Sequence, residues 1–103
     1  MKIRVESEKL SNAVKRLEGI ELVLEDERDA REAFEIIIEK KGLKEREEFK
    51  KIKEIKITPI QKYETSAVSY KLIFQIEFVF EDSVELNEKI RLIKELQEYF
   101  KRL

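Results

Sequence analysis

The chain has 103 residues, a length typical of one domain, and 44% of them are charged, with a net charge of −1. Such a balance gives no overall attraction to nucleic acid or to an anionic membrane surface. The sequence contains no His and no Cys, which excludes a Ser-His-Asp triad, a thiol nucleophile and the usual zinc sites. We therefore predict a protein that is not an enzyme, with no catalytic residues, no cofactor and no metal site.

The abundance of Lys, Arg and Glu is typical of proteins from thermophiles, because the usual share of charged residues is about 25%. The apolar runs fall well short of the roughly 18 residues that a membrane-spanning helix needs. The first residues, MKIRVESEK, lack the apolar core of a secretion signal. We therefore expect a cytoplasmic protein from a thermophile, without a membrane partner.

The chain begins with a predicted strand and a predicted helix. Residues 2–6 alternate polar and apolar side chains, as in a strand with one buried face. Ser7 is a candidate N-cap for a helix over residues 7–18, and Gly19 is a residue type that often ends a helix with a positive φ. The apolar positions of this helix follow steps of three and four: Leu10, Ala13, Val14 and Leu17.

Residues 20–25 predict a second strand. Their apolar members Ile20, Leu22 and Leu24 alternate with the other side chains. A strand, a helix and a strand joined by short connections favour parallel pairing through a right-handed crossover. The intervening helix is short for such a crossover, so an antiparallel arrangement is the alternative.

The next predicted helix has signals at both ends. Asp26 is its candidate N-cap, and Gly42 follows its last turn. Its apolar stripe consists of Ala30, Ala33, Phe34, Ile37 and Ile38. For residues 43–53 we predict a short helical turn or an ordered loop, and a mobile charged connection is the alternative.

Two strands with a period of two follow. The first, within residues 53–64, is interrupted near Pro59, which lacks an N–H group and belongs at a sheet edge or at a bulge. The second covers residues 70–80, and a loop longer than two residues, around 65–68, joins the two strands. The even-numbered residues of the second strand form a buried face: Tyr70, Leu72, Phe74, Ile76, Phe78 and Phe80.

A final helix is predicted to run to the C-terminus. Asp82 and Ser83 compete as its N-cap. Its stripe consists of Leu86, Ile90, Ile93, Leu96, Phe100 and Leu103, widened by Leu92 and Tyr99. Roughly 20 helical residues span about 30 Å, close to the strand over residues 70–80 at about 37 Å. We therefore expect the helix to lie along the apolar face of that strand.

These elements predict a single α+β domain, residues 1–103, in the order β-α-β-α-β-β-α. The predicted arrangement has two layers, with helices on one face of a mixed four-stranded sheet and a long C-terminal hairpin followed by a helix. A compact domain of this size has a radius of gyration of about 13 Å. A strand as long as residues 70–80 must therefore cross the domain, bend or overhang it.

The odd-numbered face of the strand over residues 70–80 mixes apolar and polar side chains. A sheet face tolerates scattered apolar residues, so ordinary exposure is one interpretation. The other is a homodimer contact, formed through this face or by strand-edge pairing, or a contact with another protein. We favour the homodimer and therefore predict a non-enzymatic protein–protein interaction or assembly subunit that binds a second copy of itself, with another protein as the alternative partner. The candidate interface residues are Ile73, Gln75, Glu77, Val79, Leu92 and Tyr99.

Nucleic-acid binding is the alternative function. Residues 40–56 carry eight Lys and Arg residues against four Glu residues, the most basic part of the chain. A basic segment with an aromatic side chain could follow a phosphate backbone and stack a base. The interleaved Glu residues are equally typical of a solvated charged segment. The candidate residues are Lys44, Arg46, Phe49, Lys50, Lys51 and Lys53.

Overall fold

The structure, a computed structural model, describes residues 1–65 and 69–103, and for residues 61–65, 69 and 70 it describes the backbone alone. The described residues form an α+β fold with three strands, four α-helices and a 3₁₀ turn at Leu43–Glu45. The strands are β1 (Lys2–Glu6), β2 (Ile52–Thr65) and β3 (Ser69–Phe80). The helices are α1 (Ser7–Glu18), α2 (Glu27–Lys40), α3 (Glu47–Lys50) and α4 (Leu86–Lys101).

Over the described residues, the sheet has three antiparallel strands in the order β1-β3-β2, so β3 is the central strand. The α+β class is confirmed. The predicted mixed four-stranded sheet is wrong both in the number of strands and in the parallel pairing. The difference comes from residues 20–25, which were expected to form a strand and join no ladder.

The segment of residues 20–25 lies along α1, whose side chains take the place of a neighbouring strand. The Oγ of Ser7 donates to the carbonyl oxygen of Leu24 at 3.3 Å, and the Oγ of Ser11 donates to that of Leu22 at 2.7 Å. Residues four apart share one face of a helix, so the segment runs back along α1 in the opposite direction. Two of its carbonyl groups are thereby satisfied without a ladder.

Residues 22–24 of this segment keep the alternation of a strand, whereas Ile20, the first predicted apolar member, is 46% exposed. Leu24 is buried and Leu22 is half-buried, whereas Val23 between them is 79% exposed. At the far end of the segment, Nζ of Lys15 contacts Oε1 of Glu21 at 2.8 Å. The alternation therefore records which side of the segment meets the core, and it carries no information on strand pairing.

β3 carries the apolar face that the sequence predicts. Its buried members are Phe74, Ile76, Phe78 and Phe80. The ring centroid of Phe34 on α2 lies 5.8 Å from that of Phe78 and 6.5 Å from that of Phe100 on α4. Phe34 therefore joins α2 both to the C-terminal part of β3 and to α4. Leu72 is half-buried, and the side chain of Tyr70 lies outside the described part of the chain.

β2 is an edge strand with two irregularities. Its register with β3 shifts between Pro59 and Gln61, where Ile60 is the additional residue, and again between Ile52 and Glu54. The prediction that Pro59 lies at an edge or at a bulge is confirmed on both counts.

The hairpin of β2 and β3 extends beyond the third strand. β1 pairs with β3 only as far as Ile73, whereas β2 continues to pair until Thr65 lies opposite Ser69. The molecule measures 48 × 27 × 23 Å along its principal axes. The overhang agrees with the expectation from strand length. Residues 66–68 of the predicted loop lie outside the described residues.

The end of α1 and the start of α2 lie where their sequence signals predict. Gly19 follows α1 with a φ of 72°, and Asp26 caps α2 by accepting a 3.0 Å hydrogen bond from the N–H of Asp29. The N-cap of α1 differs from the prediction. Glu6 occupies that position, and Ser7 is the first helical residue, because its hydroxyl is directed to the segment of residues 20–25.

The charged segment after α2 forms short helical turns, which agrees with the predicted helical turn for residues 43–53 and not with the alternative of a mobile connection. It consists of the 3₁₀ turn and α3, joined at Arg46. Leu43 and Phe49 are buried there, 7% and 9% exposed, and attach both turns to the core.

α4 is shorter than predicted, and its apolar stripe is only partly buried. Its N-cap is Glu85, so neither Asp82 nor Ser83 has that role. Leu86 and Ile90, the first two members of the predicted stripe, are 63% and 42% exposed, because the first turns of the helix extend beyond the core. The buried residues of α4 are Leu92, Ile93, Leu96 and Phe100.

Candidate protein-interaction site

The edge strand β1 bonds to β3 through alternate residues only. The N–H of Phe78 donates to the carbonyl oxygen of Met1 at 2.7 Å, and the nitrogen of Met1 donates to the carbonyl oxygen of Phe78 at 3.1 Å. Such pairs recur at every second residue of an antiparallel ladder. Ile3 and Val5 therefore direct their backbone groups toward β3, which lies opposite them in register.

The intervening residues Lys2, Arg4 and Glu6 direct their backbone groups away from β3. Over the described residues, no strand lies on that side of β1. Glu6 is the N-cap of α1, so its carbonyl group belongs to the first turn of the helix. The free edge thus presents the N–H groups of all three residues and the carbonyl groups of Lys2 and Arg4.

A groove of about 590 Å³ runs beside this free edge. Its wall is the last part of α4, with Gln97, Phe100 and Lys101, together with Lys9 of α1. The Nζ of Lys9 donates to the carbonyl oxygen of Phe100 at 3.2 Å and so joins the two helices at this wall. The groove therefore lies between the edge strand β1 and the C-terminal end of α4.

The groove is rich in cations. Lys2, Arg4, Lys9 and Lys101 line it, and Glu6 is the carboxylate among the lining residues. Among the described residues, none of these four cations has a carboxylate partner within 4.0 Å. The groove therefore has a local excess of positive charge on a chain whose net charge is −1.

The opposite edge of the sheet is protected in ways that β1 lacks. β2 carries Pro59, whose position in the register directs its nitrogen away from β3, so this edge lacks a donor there. The two register shifts of β2 interrupt the regular spacing of its outer groups. Edge strands with Pro and bulges pair poorly with other strands, so β1 is the better site for an added strand.

Four of the six predicted interface residues share the sheet face opposite the core. Ile73, Gln75, Glu77 and Val79 are all half-buried. In the ladder, Glu77 lies between Lys2 of β1 and Lys56 of β2. A charged row across all three strands is typical of a solvated face and unlike the dry centre of a protein interface.

The other two predicted interface residues lie elsewhere. Leu92 is fully buried at 0% exposure and packs in the core, so it cannot contact a partner at the surface. Tyr99 is half-buried, with Nζ of Lys41 at 4.7 Å from its ring centroid. Burial raises the pKa of the Tyr99 hydroxyl. The structure therefore does not bring these two residues together with the face of β3.

The residues predicted for nucleic-acid binding are divided in the same way. Phe49 is only 9% exposed and packs with the core, so its ring has no free face on which a base could stack. Lys44, Lys50 and Lys53 are exposed, and Lys51 is half-buried. Nucleic-acid binding through residues 40–56 stays a prediction that depends on the lysines alone.

Arg46, the sixth of those residues, connects α3 to α4. Its guanidinium group contacts Oε1 of Glu48 at 2.7 Å and also bonds to the carboxylate of Glu95. Burial opposes its charge, but the hydrogen bond from Arg46 to Glu48 and the charge of Glu95 raise the pKa of Arg46. A hydrogen bond from its own backbone N–H, and then the contact with Arg46, lower the pKa of Glu48. Arg46 therefore has a structural role.

The groove beside β1 was not predicted from the sequence. Its four cations come from β1, α1 and the end of α4, which are far apart in the chain. The alternation of Lys2 and Arg4 with Ile3 and Val5 indicates their side of β1, but no local pattern identifies β1 as an edge strand.

Other functional features are few among the described residues. They contain no group of three or more possible metal ligands and no buried polar side chain that lacks a hydrogen-bond partner. None of their helices combines the length and the apolar character needed to cross a bilayer.

Comparison of the chain with protein-family models, with curated proteins and with solved structures gave no match.

Proposed function

We propose that the chain is a non-enzymatic protein–protein interaction subunit that binds an extended polypeptide segment as an additional strand beside β1. The observation that carries this proposal is the row of outward backbone groups on Lys2, Arg4 and Glu6, next to an open groove. Strand addition at an exposed sheet edge is a common mode of peptide recognition, in which backbone hydrogen bonds supply affinity and side-chain contacts supply specificity.

The dimensions of the site suit such a segment. A strand of five residues, the length of β1, spans about 17 Å at roughly 3.4 Å per residue. The groove, of about 590 Å³, is lined by all five residues of β1, so it extends along the whole of that strand. Ile3, Val5 and Phe100 are at most 4% exposed, so they offer little additional apolar surface. The free backbone groups of β1 are therefore the main source of affinity in this proposal.

A homodimer is one form that strand addition can take. Two β1 strands in antiparallel pairing can place Arg4 of one copy opposite Glu6 of the other, which pairs opposite charges twice across a two-fold axis. The three-stranded sheets would then join into one sheet of six strands. In this proposal a second copy competes for the same edge as a segment of another protein.

Amide hydrogen exchange followed by NMR tests the proposal. The probes are the chain itself at increasing concentration and three eight-residue peptides in which Val alternates with Gln, Glu or Lys. A strand bound at β1 slows the exchange of the Lys2, Arg4 and Glu6 amides, which the free chain leaves unpaired. The amides of Ile3 and Val5 already bond to β3 and serve as internal controls.

A proline substitution separates this edge from any other site. Arg4→Pro removes one outward N–H and none that bonds to β3, so it blocks strand addition, and Arg4→Val is its matched control with the N–H retained. We expect Arg4→Pro to abolish the protection and Arg4→Val to retain it. The proposal is wrong if no probe protects these amides, or if Arg4→Pro binds the probes as well as wild type.

A further inference from the structure

We infer that the segment which pairs with β1 is acidic, an extended stretch rich in Glu and Asp from a partner protein. This inference rests on the proposed function and specifies the partner of the same site. It follows from the charge of the groove, from the placement of that charge on both sides of the free edge, and from the kinds of group that the edge presents.

The charge of the groove differs in sign from that of the whole chain. Four cations line the groove with a single carboxylate, Glu6, and the chain as a whole has a net charge of −1. That carboxylate lies 3.9 Å from Nζ of Lys71, so a fifth cation offsets part of its charge. Complementary charge across an interface increases the rate of association and selects among partners.

The cations lie on both sides of the free edge. Lys2 and Arg4 alternate with the core residues of β1, so they lie on the sheet face opposite the core. Lys9 and Lys101 belong to the helices that form the other wall of the groove. Successive side chains of an added strand point to opposite faces, so acidic side chains of either parity meet a cation.

The edge favours a peptide over a nucleic acid. The carbonyl groups of Lys2 and Arg4 are hydrogen-bond acceptors, which pair with the N–H groups of a peptide and repel the oxygens of a phosphate. Phe100, the aromatic residue of the groove, is 4% exposed and has no free face for a base.

The charges also favour another protein over a second copy of this chain. A second copy at β1 would bring its own Lys2, Lys9 and Lys101 close to the same four cations. Like charges across an interface oppose binding. The two Arg4–Glu6 contacts of such a dimer leave these lysines without partners. An acidic segment supplies carboxylates for all of them.

Titration of the three peptides against the intact chain tests the inference, with fluorescence anisotropy as the readout. We expect the Val-Glu peptide to bind at least about tenfold more tightly than the Val-Gln peptide, and the Val-Lys peptide to bind weakest. The preference should decrease when NaCl is raised, because salt screens exposed charges.

Charge reversal locates the preference in the groove. Lys2→Glu and Lys101→Glu should each lower the affinity for the Val-Glu peptide by about three- to tenfold and raise the affinity for the Val-Lys peptide. Lys53→Glu is the matched control, because Lys53 is an exposed residue of β2, the opposite edge strand, and lies outside the groove lining. It should change either affinity by less than about twofold, as expected for a distant exposed charge.

The outcomes separate the inference from the proposed function. If all three peptides protect the β1 amides equally, strand addition stands and the preference for acidic segments is wrong. The preference is also wrong if the chain associates with itself at β1 more tightly than it binds any of the peptides. It is equally wrong if a single-stranded oligonucleotide binds through Lys2 and Lys101 more tightly than the Val-Glu peptide does. If neither a peptide nor a second copy of the chain protects these amides, the proposed function itself fails.

Discussion

Two stretches of this chain share one sequence pattern and have different structures. Residues 20–25 and residues 70–80 both alternate with a period of two. The second stretch belongs to β3, which has a strand on each side. The first is an extended segment without a ladder, and it lies against α1. A period of two therefore indicates extended backbone with one buried side, and strand pairing needs further information.

The difference arises from what each stretch meets. Gly19, with a φ of 72°, reverses the chain directly after α1, so the following residues run back along that helix. The hydroxyls of Ser7 and Ser11 then donate to carbonyl groups that a ladder would otherwise satisfy. β3 has no such helix at its edges, and its backbone groups bond to β1 and β2.

The largest expected effect concerns the core side of β3. Phe74 is fully buried, so Phe74→Ala should lower the free energy of unfolding by about 3–5 kcal/mol through lost apolar contact and a cavity. Its neighbour Gln75 lies on the opposite face and is half-buried, so Gln75→Ala should change stability by no more than about 0.5 kcal/mol. Urea denaturation measures both. A loss below about 1 kcal/mol for Phe74→Ala would contradict the assigned core face.

The next effect tests the buried side of the segment of residues 20–25. Leu24 is 7% exposed, so Leu24→Ala should lower the free energy of unfolding by about 2–3 kcal/mol, the lower part of the range for buried Leu. Val23 is 79% exposed, and Val23→Ala should be nearly neutral in the same denaturation experiment. Equal losses at both positions would mean that this segment is buried on both sides, as an internal strand would be.

A smaller effect tests the contact that replaces a ladder. Ser11→Ala removes the 2.7 Å hydrogen bond to the carbonyl group of Leu22 and should lower the free energy of unfolding by about 1 kcal/mol, partly offset by the higher helix propensity of Ala. Asn12→Ala is the matched control, since Asn12 is the exposed neighbour on α1. If thermal melting shows the two variants to be equally stable, the serine contact does not hold the segment.

The smallest effect concerns the exposed ion pair at the end of that segment. The hydrogen bond from Lys15, and then its charge, lower the pKa of the Glu21 carboxyl group, and the same contact raises the pKa of Lys15. The contribution of Glu21 to stability is therefore present above its pKa in the unfolded chain and is lost as the pH falls through its lower folded-state pKa.

Carbon-detected NMR titration of the Glu21 carboxyl group checks this. We expect a pKa below the ordinary Glu value that returns toward it in high salt, and also in Lys15→Ala. Both partners are exposed, so Glu21→Gln should leave the melting temperature nearly unchanged. A folded-state pKa at the ordinary value would mean that the pair does not persist in solution.

Local sequence signals predicted those features of the fold that depend on neighbouring residues. The limits of α1 and α2 follow from apolar spacing, Gly19 and Asp26. The irregularity at Pro59 follows from its missing N–H, and the buried face of β3 follows from its alternation. The signals failed where a distant partner competes with the local one, as at Ser7, whose hydroxyl bonds to Leu24.

The sequence predicted the type of contact at the candidate site but not the residues that form it. A protein contact through a strand edge was one of two predicted forms of association. The residues named for the contact, however, lie on the charged face of β3, in the core at Leu92 or beside Lys41 at Tyr99. Which strand is an edge depends on the order β1-β3-β2. That order is set by contacts between residues far apart in the chain, and alternation within a strand carries no record of it.

By itself, then, the sequence determined the α+β class, the limits of α1 and α2 and the apolar face of β3, since these depend on side-chain spacing over a few residues. The tertiary structure alone decided that residues 20–25 pair with a helix and that β1 has a free edge. It alone placed Lys2, Arg4, Lys9 and Lys101 around one groove. Backbone groups bond to whichever partner the packed core brings near, so strand pairing and the composition of a surface follow from packing over the whole chain.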